Sequence, residues 1–468
     1  MPHKTHVAML PSPGMGHLIP LLGLATDLVQ SYDFTVTIII PTIGPPAKAL
    51  VSLLEKLPEG IDTVFLPPVL FEDTMPREAQ IFLAIKESLP SIRNVFESFV
   101  KSEKTVTALI TDMFGTDAFD VATEFKVPSY LYFLISAMCF ALFISQPRLH
   151  DTVSCNFPDM PEPLKLPGCI PIHGRDFPEA VRDRSSEPYK TLLHHAKRCS
   201  SAEGVLLNSF MELEPATIEA LQKEDSGNPF VYPIGPRLQT GSTNGCADES
   251  GCLNWLNRQP VGSVLFVCFG SGGTLSFDQL TELALGLEMS GQKFIWVVRS
   301  PDNESAAGSY FSAESNTDPF GFLPEGYLDR TKEQGLLVPS WAPQMQILAH
   351  KSTAGFLTHC GWNSALESII NGVPMIAWPL YADQSTNAVL LTEALKVALR
   401  PNPNQNGLVG REEIAKTVKS LMQEEEGMKI REKMNVMKEA AANAVSEGGS
   451  STKTLSQLVL KWKNRKLN

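Results

Sequence analysis

No CxxC pair and no recurring spacing links the eight cysteines, Cys139, Cys155, Cys169, Cys199, Cys246, Cys252, Cys268 and Cys360. That scatter argues against a disulfide framework and against a zinc site. Positive charge is also short. Lys and Arg number 39 against 51 Asp and Glu, a formal net charge of −12 over 468 residues, which is the wrong sign for a nucleic-acid footprint. A membrane helix needs about 20 consecutive apolar residues. The uncharged stretch 127–147 is broken by Pro128, Ser129, Ser136 and Pro147 and reads as a buried strand at 130–135 followed by a buried helix at 137–145. The first apolar run, 7–10, stops at Pro11, too short for a signal-peptide core, so a cytosolic protein is expected. Asp-Xaa-Asp, GxxxxGK[ST], HExxH and GxSxG motifs are missing, which removes support for metal-bridged diphosphate transfer, P-loop hydrolysis and serine esterase chemistry.

What is present is globular: 43 % hydrophobic and 19 % charged residues, in a chain long enough for two large domains. Short apolar strands alternate with helical patterns twice. The first series places strands at 6–10, 35–40 and 106–112 and a helix at 18–30. The second restarts after residue 260, with strands at 263–269, 293–299, 335–338 and 355–359 and helices at 277–290 and 363–371. Such alternation predicts an α/β fold of two Rossmann-like, doubly wound domains. The polar run 237–251 is the best linker candidate. The expected division is therefore 1–240, a linker at 241–251, 252–450, and a C-terminal helix at 451–468 that packs back on the first domain. Residues 300–319 read as a surface insertion, and the basic end of the chain as a solvated helix terminus. Two such domains put a cleft at the carboxyl ends of their strands, where ligands of open α/β sheets bind.

The first strand runs into Pro11-Ser12-Pro13-Gly14-Met15-Gly16-His17. The glycines permit a tight strand-to-helix turn that presents His17 at the helix start. A dinucleotide fingerprint fails here: Ile19 stands where a third glycine belongs, and no acidic residue ends the second strand. On spacing alone His17 is equally a structural imidazole or a general base. A base needs an orienting partner on its other nitrogen. Asp112 ends a strand and suits that role, whereas Asp117 and Asp120 read as helix-capping residues. Further along come Trp341-Ala342-Pro343-Gln344, then His359-Cys360-Gly361-Trp362-Asn363-Ser364, Glu367, and Asp383-Gln384. Strand, glycine turn and helix at 355–371 aim free N–H groups outward as an anion site. Glu367 lies one helical turn beyond Asn363 and can accept two ribose hydroxyls, and Trp341 offers a stacking surface. Phe269-Gly270-Ser271-Gly272-Gly273-Thr274 is a second candidate anion loop.

Residues 341–384 resemble the signature box of plant family 1 UDP-dependent glycosyltransferases, which have the GT-B fold of two Rossmann-like domains facing across a cleft. The stretches around Pro11–Pro20 and Met113–Ala122 resemble the same family, with the closest likeness to the hydroquinone, monolignol and indoxyl glucosyltransferase subgroup. The resemblance implies an inverting UDP-glucose-dependent O-glucosyltransferase acting on a small planar phenolic or indoxyl-type hydroxyl, with His17 as base and Asp112 stabilising the imidazolium. Flavonoid, terpenoid or hormone acceptors, and a non-catalytic nucleotide-sugar binder, are the alternatives. It implies that Trp341 stacks on uracil, that the main chain at Ala342 and Gln344 holds the nucleoside, and that Glu367 binds the ribose. His359, Asn363, Ser364 and Ser271 would receive the diphosphate. Trp362, Asp383 and Gln384 would hold sugar hydroxyls, and Ser136 stands where relatives often carry a sugar-contacting Thr. Ile81, Met113, Phe114 and Phe143 are the expected acceptor wall. No cofactor and no metal are expected, nor any partner beyond UDP-sugar and acceptor, and the protein is expected to be a monomer. Within 341–384 the only charged side chains are Lys351, Glu367 and Asp383, so donor affinity is expected to depend weakly on salt.

Overall fold

Val7, Ala8, Met9 and Leu10 are completely buried on strand β1 (Thr5–Leu10). Val7 and Met9 pack with Leu21, Leu24 and Leu28 of the helix Met15–Tyr32, while Ala8 and Leu10 pack with Ile92, Phe96 and Phe99 of the helix Leu89–Lys101. A strand covered by helices on both faces has no solvent side, which is why its sequence is an unbroken apolar run. The computed structural model describes residues 4–46, 48–72, 75, 77–223, 227–238, 250–303 and 320–465. The chain forms two compact units, one of Met1–Arg175, Ala180–Gly241 and Asn443–Asn468, the other of Asp176–Glu179 and Ser242–Ala442.

In the first unit, β1 is followed by β2 (Phe34–Ile40), β3 (Ile61–Phe65), β4 (Val106–Thr111), β5 (Ser129–Phe133), β6 (Gly204–Leu207) and β7 (Val231–Pro233). Their order in the sheet is β3-β2-β1-β4-β5-β6-β7 and every described pairing is parallel. In the second unit, β8 (Val264–Cys268), β9 (Lys293–Val298), β10 (Gly335–Pro339), β11 (Thr353–Thr358), β12 (Met375–Ala377) and β13 (Ala398–Leu399) pair in parallel in the order β10-β9-β8-β11-β12-β13. The order reverses between β1 and β4 in one sheet and between β8 and β11 in the other. Loops that leave neighbouring strands in opposite directions open a crevice at that point, the usual ligand site of such sheets.

The chain ends inside the first unit. Leu455, Leu458, Val459 and Trp462 of the last helix, Ser450–Arg465, belong to the same core as β1 and β2. Trp462 lies edge-on to Phe34 and Tyr130, at centroid distances of 6.2 and 5.4 Å. Of the basic residues there, Lys461 pairs with Glu203 at 2.7 Å and Lys463 lies over the Phe34 ring; Lys466 falls outside the described residues. So do residues 241–249 of the expected linker and 304–319 of the expected insertion. Strands β3, β6, β7, β12 and β13 are additions to the sequence reading. No helix of the described residues is long and apolar enough to cross a membrane.

Candidate active site

The turn after β1 and the end of β4 meet at the reversal point of the first sheet. Gly14 precedes the helix Met15–Tyr32 with φ 128°, a backbone region that a side chain would strain. His17 stands in the first turn of that helix, its Nδ1 3.0 Å from Asp112 Oδ2, with the imidazole about a quarter exposed and the carboxylate buried. Asp112 accepts three more hydrogen bonds: from Ser12 N–H at 2.6 Å, from Ser12 Oγ–H at 2.6 Å and from Phe114 N–H at 3.0 Å. Burial alone would raise the Asp112 pKa. The His17 imidazole and the two Ser12 donors outweigh it and hold the carboxyl below its ordinary range. An ionised Asp112 accepts a proton-bearing Nδ1, leaving the Nε2 lone pair as the basic site.

Ser12 was not picked out from the sequence, although a signal existed. Pro11 and Pro13 have no backbone N–H, so Ser12 carries the only main-chain donor of the three, and it is used on the carboxylate. Asp117 and Asp120 differ from their capping assignment. Asp117 occupies the N-cap of the helix Ala118–Glu124 without a side-chain cap bond; its carboxylate lies 2.7 Å from His194 Nε2 and 3.5 Å from Arg198. Asp120 pairs with Arg198 at 2.7 Å. Asp117, His194 and His195 bring three potential metal-ligating atoms within 4.8 Å, but the Arg198 guanidinium already occupies the electrostatic role that a cation would take beside Asp117.

Phe114 packs between His17 and His195, at centroid distances of 5.5 and 6.1 Å. Met113 and Ile81 are partly exposed. Phe143 is buried against Phe133. None of these four lines the cavity of about 240 Å³ that Pro11, Ser12, Met15 and Leu18 form with Ile40 and Pro45. Ser136 is completely buried and caps the helix Ala137–Thr152 by accepting from Cys139 N–H at 3.2 Å. Beside it the buried Glu214 accepts from Ala137 N–H and Met138 N–H and from Ser209 Oγ–H.

The second sheet has its own constellation at its reversal point. The helix Trp362–Asn371 begins at Gly361, directing its first N–H groups outward. His359 is buried in contact with two glycines: a Cβ on Gly270 or Gly361 would stand 2.6 or 2.5 Å from its Nε2. Burial pulls the His359 pKa down to about 4, so at neutral pH this ring is an uncharged hydrogen-bonding group. Its Nδ1 and Asn363 Oδ1 are buried without hydrogen-bond partners among the described residues. Trp341 is 61 % exposed, with its indole presented as a surface. Ala342 is buried, and Gln344 directs its side-chain amide to Glu367 Oε2 at 2.7 Å and to Ser364 Oγ at 2.9 Å. Burial raises the Glu367 pKa against the opposing Gln344 bond. Ser271 is exposed on its loop and Trp362 is buried. Gln384 Oε1 accepts from Leu380 N–H and Tyr381 N–H. Asp383 accepts from the Asn387 amide, which also donates to the Cys360 carbonyl.

The profile of the family described as "UDP-glucoronosyl and UDP-glucosyl transferase" matches residues 213–439. Hydroquinone glucosyltransferase of Rauvolfia serpentina is 55 % identical over 469 residues, covering 99 % of each chain. Phytolacca americana UGT2, solved with UDP-2fluoro-glucose and pterostilbene, superposes with a TM-score of 0.90 at 51 % identity, covering 98 % of this chain and 100 % of that one. A Polygonum tinctorium UDP-glucosyltransferase capable of glucosylating indoxyl, solved with 3,4-dichloroaniline, gives 0.91 at 46 % identity, covering 99 % and 100 %. With likeness of this strength running from end to end, two Rossmann-like units of the GT-B class make up the chain, which belongs to the UDP-glucoronosyl and UDP-glucosyl transferase family.

Proposed function

We propose that the protein is an inverting UDP-glucose-dependent O-glucosyltransferase that converts a small planar phenolic or indoxyl-type alcohol into its β-glucoside. The observation that carries this is the His17–Asp112 contact of 3.0 Å, made by a buried carboxylate that His17 itself and the two Ser12 donors hold below the ordinary carboxylate range. His17 Nε2 takes the acceptor hydroxyl proton, Asp112 stabilises the imidazolium that forms, and the oxygen attacks the anomeric carbon as its bond to UDP breaks. Attack opposite the leaving group inverts α to β. On the donor side, Trp341 stacks on uracil, the Ala342 and Gln344 main chain holds the nucleoside, and Glu367 takes the ribose hydroxyls after exchanging its bond to Gln344. The N–H groups at Gly361–Ser364, with His359, Asn363, Ser364 and Ser271, hold the diphosphate. Asp383 and Gln384 face the sugar hydroxyls. Ser136 and Trp362 are further candidates for sugar contact, and their side chains are buried, as is that of Gln384.

The test is incubation of the purified protein with UDP-glucose and a panel containing hydroquinone, indoxyl, a flavonoid and a terpenoid alcohol, read by mass spectrometry for a hexose adduct and by release of UDP. Adducts with hydroquinone or indoxyl as best acceptors, with a β-anomeric NMR signal, support the proposal. A flavonoid or terpenoid as best acceptor moves the substrate class, and absence of UDP release with every acceptor sinks the enzymatic assignment. No metal takes part in the proposed steps, so turnover with excess EDTA is expected to equal turnover without it.

A further inference from the structure

Arg299 directly follows β9, between the ends of β10 and β8 in the sheet. On the β10 side its Nη2 donates to the Ser340 carbonyl at 2.5 Å. Ser340 has φ 60°, an uncommon value for a residue with a side chain, immediately before the exposed indole of Trp341. On the β8 side the next residue, Ser300, accepts through its carbonyl from Thr274 Oγ–H at 2.5 Å, tying the same turn to the loop that carries Ser271. Arg299 is therefore bracketed by the proposed uracil platform and the proposed diphosphate loop.

The guanidinium is half-buried, and its buried Nε has no hydrogen-bond partner among the described residues. The ionisable groups acting on it are the Cys268 thiol and the Tyr381 phenol, while burial works against its charge. Three other arginines are held by carboxylates, Arg93 by Glu124, Arg330 by Glu288 and Arg411 by Glu282, whereas Arg184 is held by the main-chain carbonyls of His150, Val153 and Cys155. Arginine stays protonated in proteins, and a partly desolvated charge is costly without a counter-charge. The counter-charge of Arg299 is not supplied by the described side chains. Lys351, Glu367 and Asp383 sum to −1 in the donor box, and His359 is neutral, so these groups offer the anionic donor no net positive charge.

We infer that Arg299 is the charged binding residue for the donor's diphosphate, anchored through Nη2 to the turn that presents Trp341. This rests on the proposed use of a UDP-sugar. It adds a cation that lies outside the 341–384 box and that its sequence position alone did not mark.

Calorimetric titration of UDP and of uridine into wild type, Arg299→Met and Arg299→Lys is the test. Uridine shares the base and ribose contacts and lacks the phosphates, so the ratio of the two affinities isolates the charge. Arg299→Met is expected to reduce the preference for UDP over uridine by about tenfold to a hundredfold, as for loss of a charge-assisted hydrogen bond, and Arg299→Lys to reduce it less. A preference unchanged in Arg299→Met overturns the inference, and so does an equal loss for both ligands, which would make Arg299 only a prop for Trp341. Residual uridine binding shows that each variant is folded; if Arg299→Met does not fold, the Arg299→Lys ratio decides, and an unchanged value overturns the inference. Failure of the wild type to bind either ligand overturns the UDP-sugar assignment itself.

Discussion

Asp112 shares one carboxylate among His17, Ser12 and Phe114, and each contact has a separable consequence. His17→Ala removes the proposed base and is expected to lower turnover about 10²–10⁴-fold while UDP binding stays near wild type, measured with an alcohol acceptor that does not ionise unaided. Near-native turnover would exclude His17 as base. Ser12→Ala removes one of the donors that lower the Asp112 pKa. A depressed carboxylate pKa means that Asp112 remains ionised as pH falls until its folded value is reached. Loss of the Ser12 hydroxyl raises that value, so the acid limb of the kcat/KM profile is expected to move to higher pH. An unmoved limb would show that the hydroxyl does not tune the dyad. His17 and Asp112 were legible because a polar residue at the carboxyl end of a buried strand or at a glycine turn stands out against its apolar surroundings. Ser12 was not, because a serine between prolines looks like ordinary turn chemistry. The Gln344–Glu367 bond escaped for another reason: two residues 23 positions apart meet only once the helices Gln344–Ala349 and Trp362–Asn371 are packed.

At the level of elements, long buried segments declared themselves and short ones did not. The helix read at 277–290 spans those residues in the structure, with Ser276 capping Gln279 N–H at its start and Gly291 in the left-handed region at its end. β13 has two residues and β7 three, one of them Pro233. Such pieces are strands because a neighbouring strand pairs with them, a cause that lies outside their own sequence. β3 is partly exposed along its length, at the edge of its sheet, and lacks the apolar run that marks β1. The final helix makes an element-scale prediction. Trp462 is fully buried between Phe34 and Tyr130, so Trp462→Ala is expected to destabilise the first unit by about 3–5 kcal/mol, measured by urea unfolding. A loss below about 1 kcal/mol would mean that the helix is not integral to that core.

Over the whole molecule, the formal charge of −12 opposes an anionic donor, and the groups assigned to hold that donor act at short range: helix-terminal N–H donors, neutral His359 and Arg299. Added salt screens the long-range repulsion while leaving buried contacts largely intact. UDP affinity is accordingly expected to change by less than about threefold between low and moderate ionic strength, measured by titration at several salt concentrations. A steep fall with salt would instead indicate an exposed, multi-charge site.

The route of the chain sets an order of events during synthesis. Residues 443–468 belong to the unit that begins at the N-terminus, and Leu455, Leu458, Val459 and Trp462 belong to the core built on β1 and β2. While the ribosome is still adding the last turns, that core lacks its closing helix, whereas Ser242–Ala442 has already emerged in nearly full length. Domains commonly mature from the N-terminus onward during translation. Here the unit whose synthesis begins first is completed only after Ser242–Ala442 has been made, and the His17–Asp112 pair it carries waits on the helix Ser450–Arg465 for a finished scaffold.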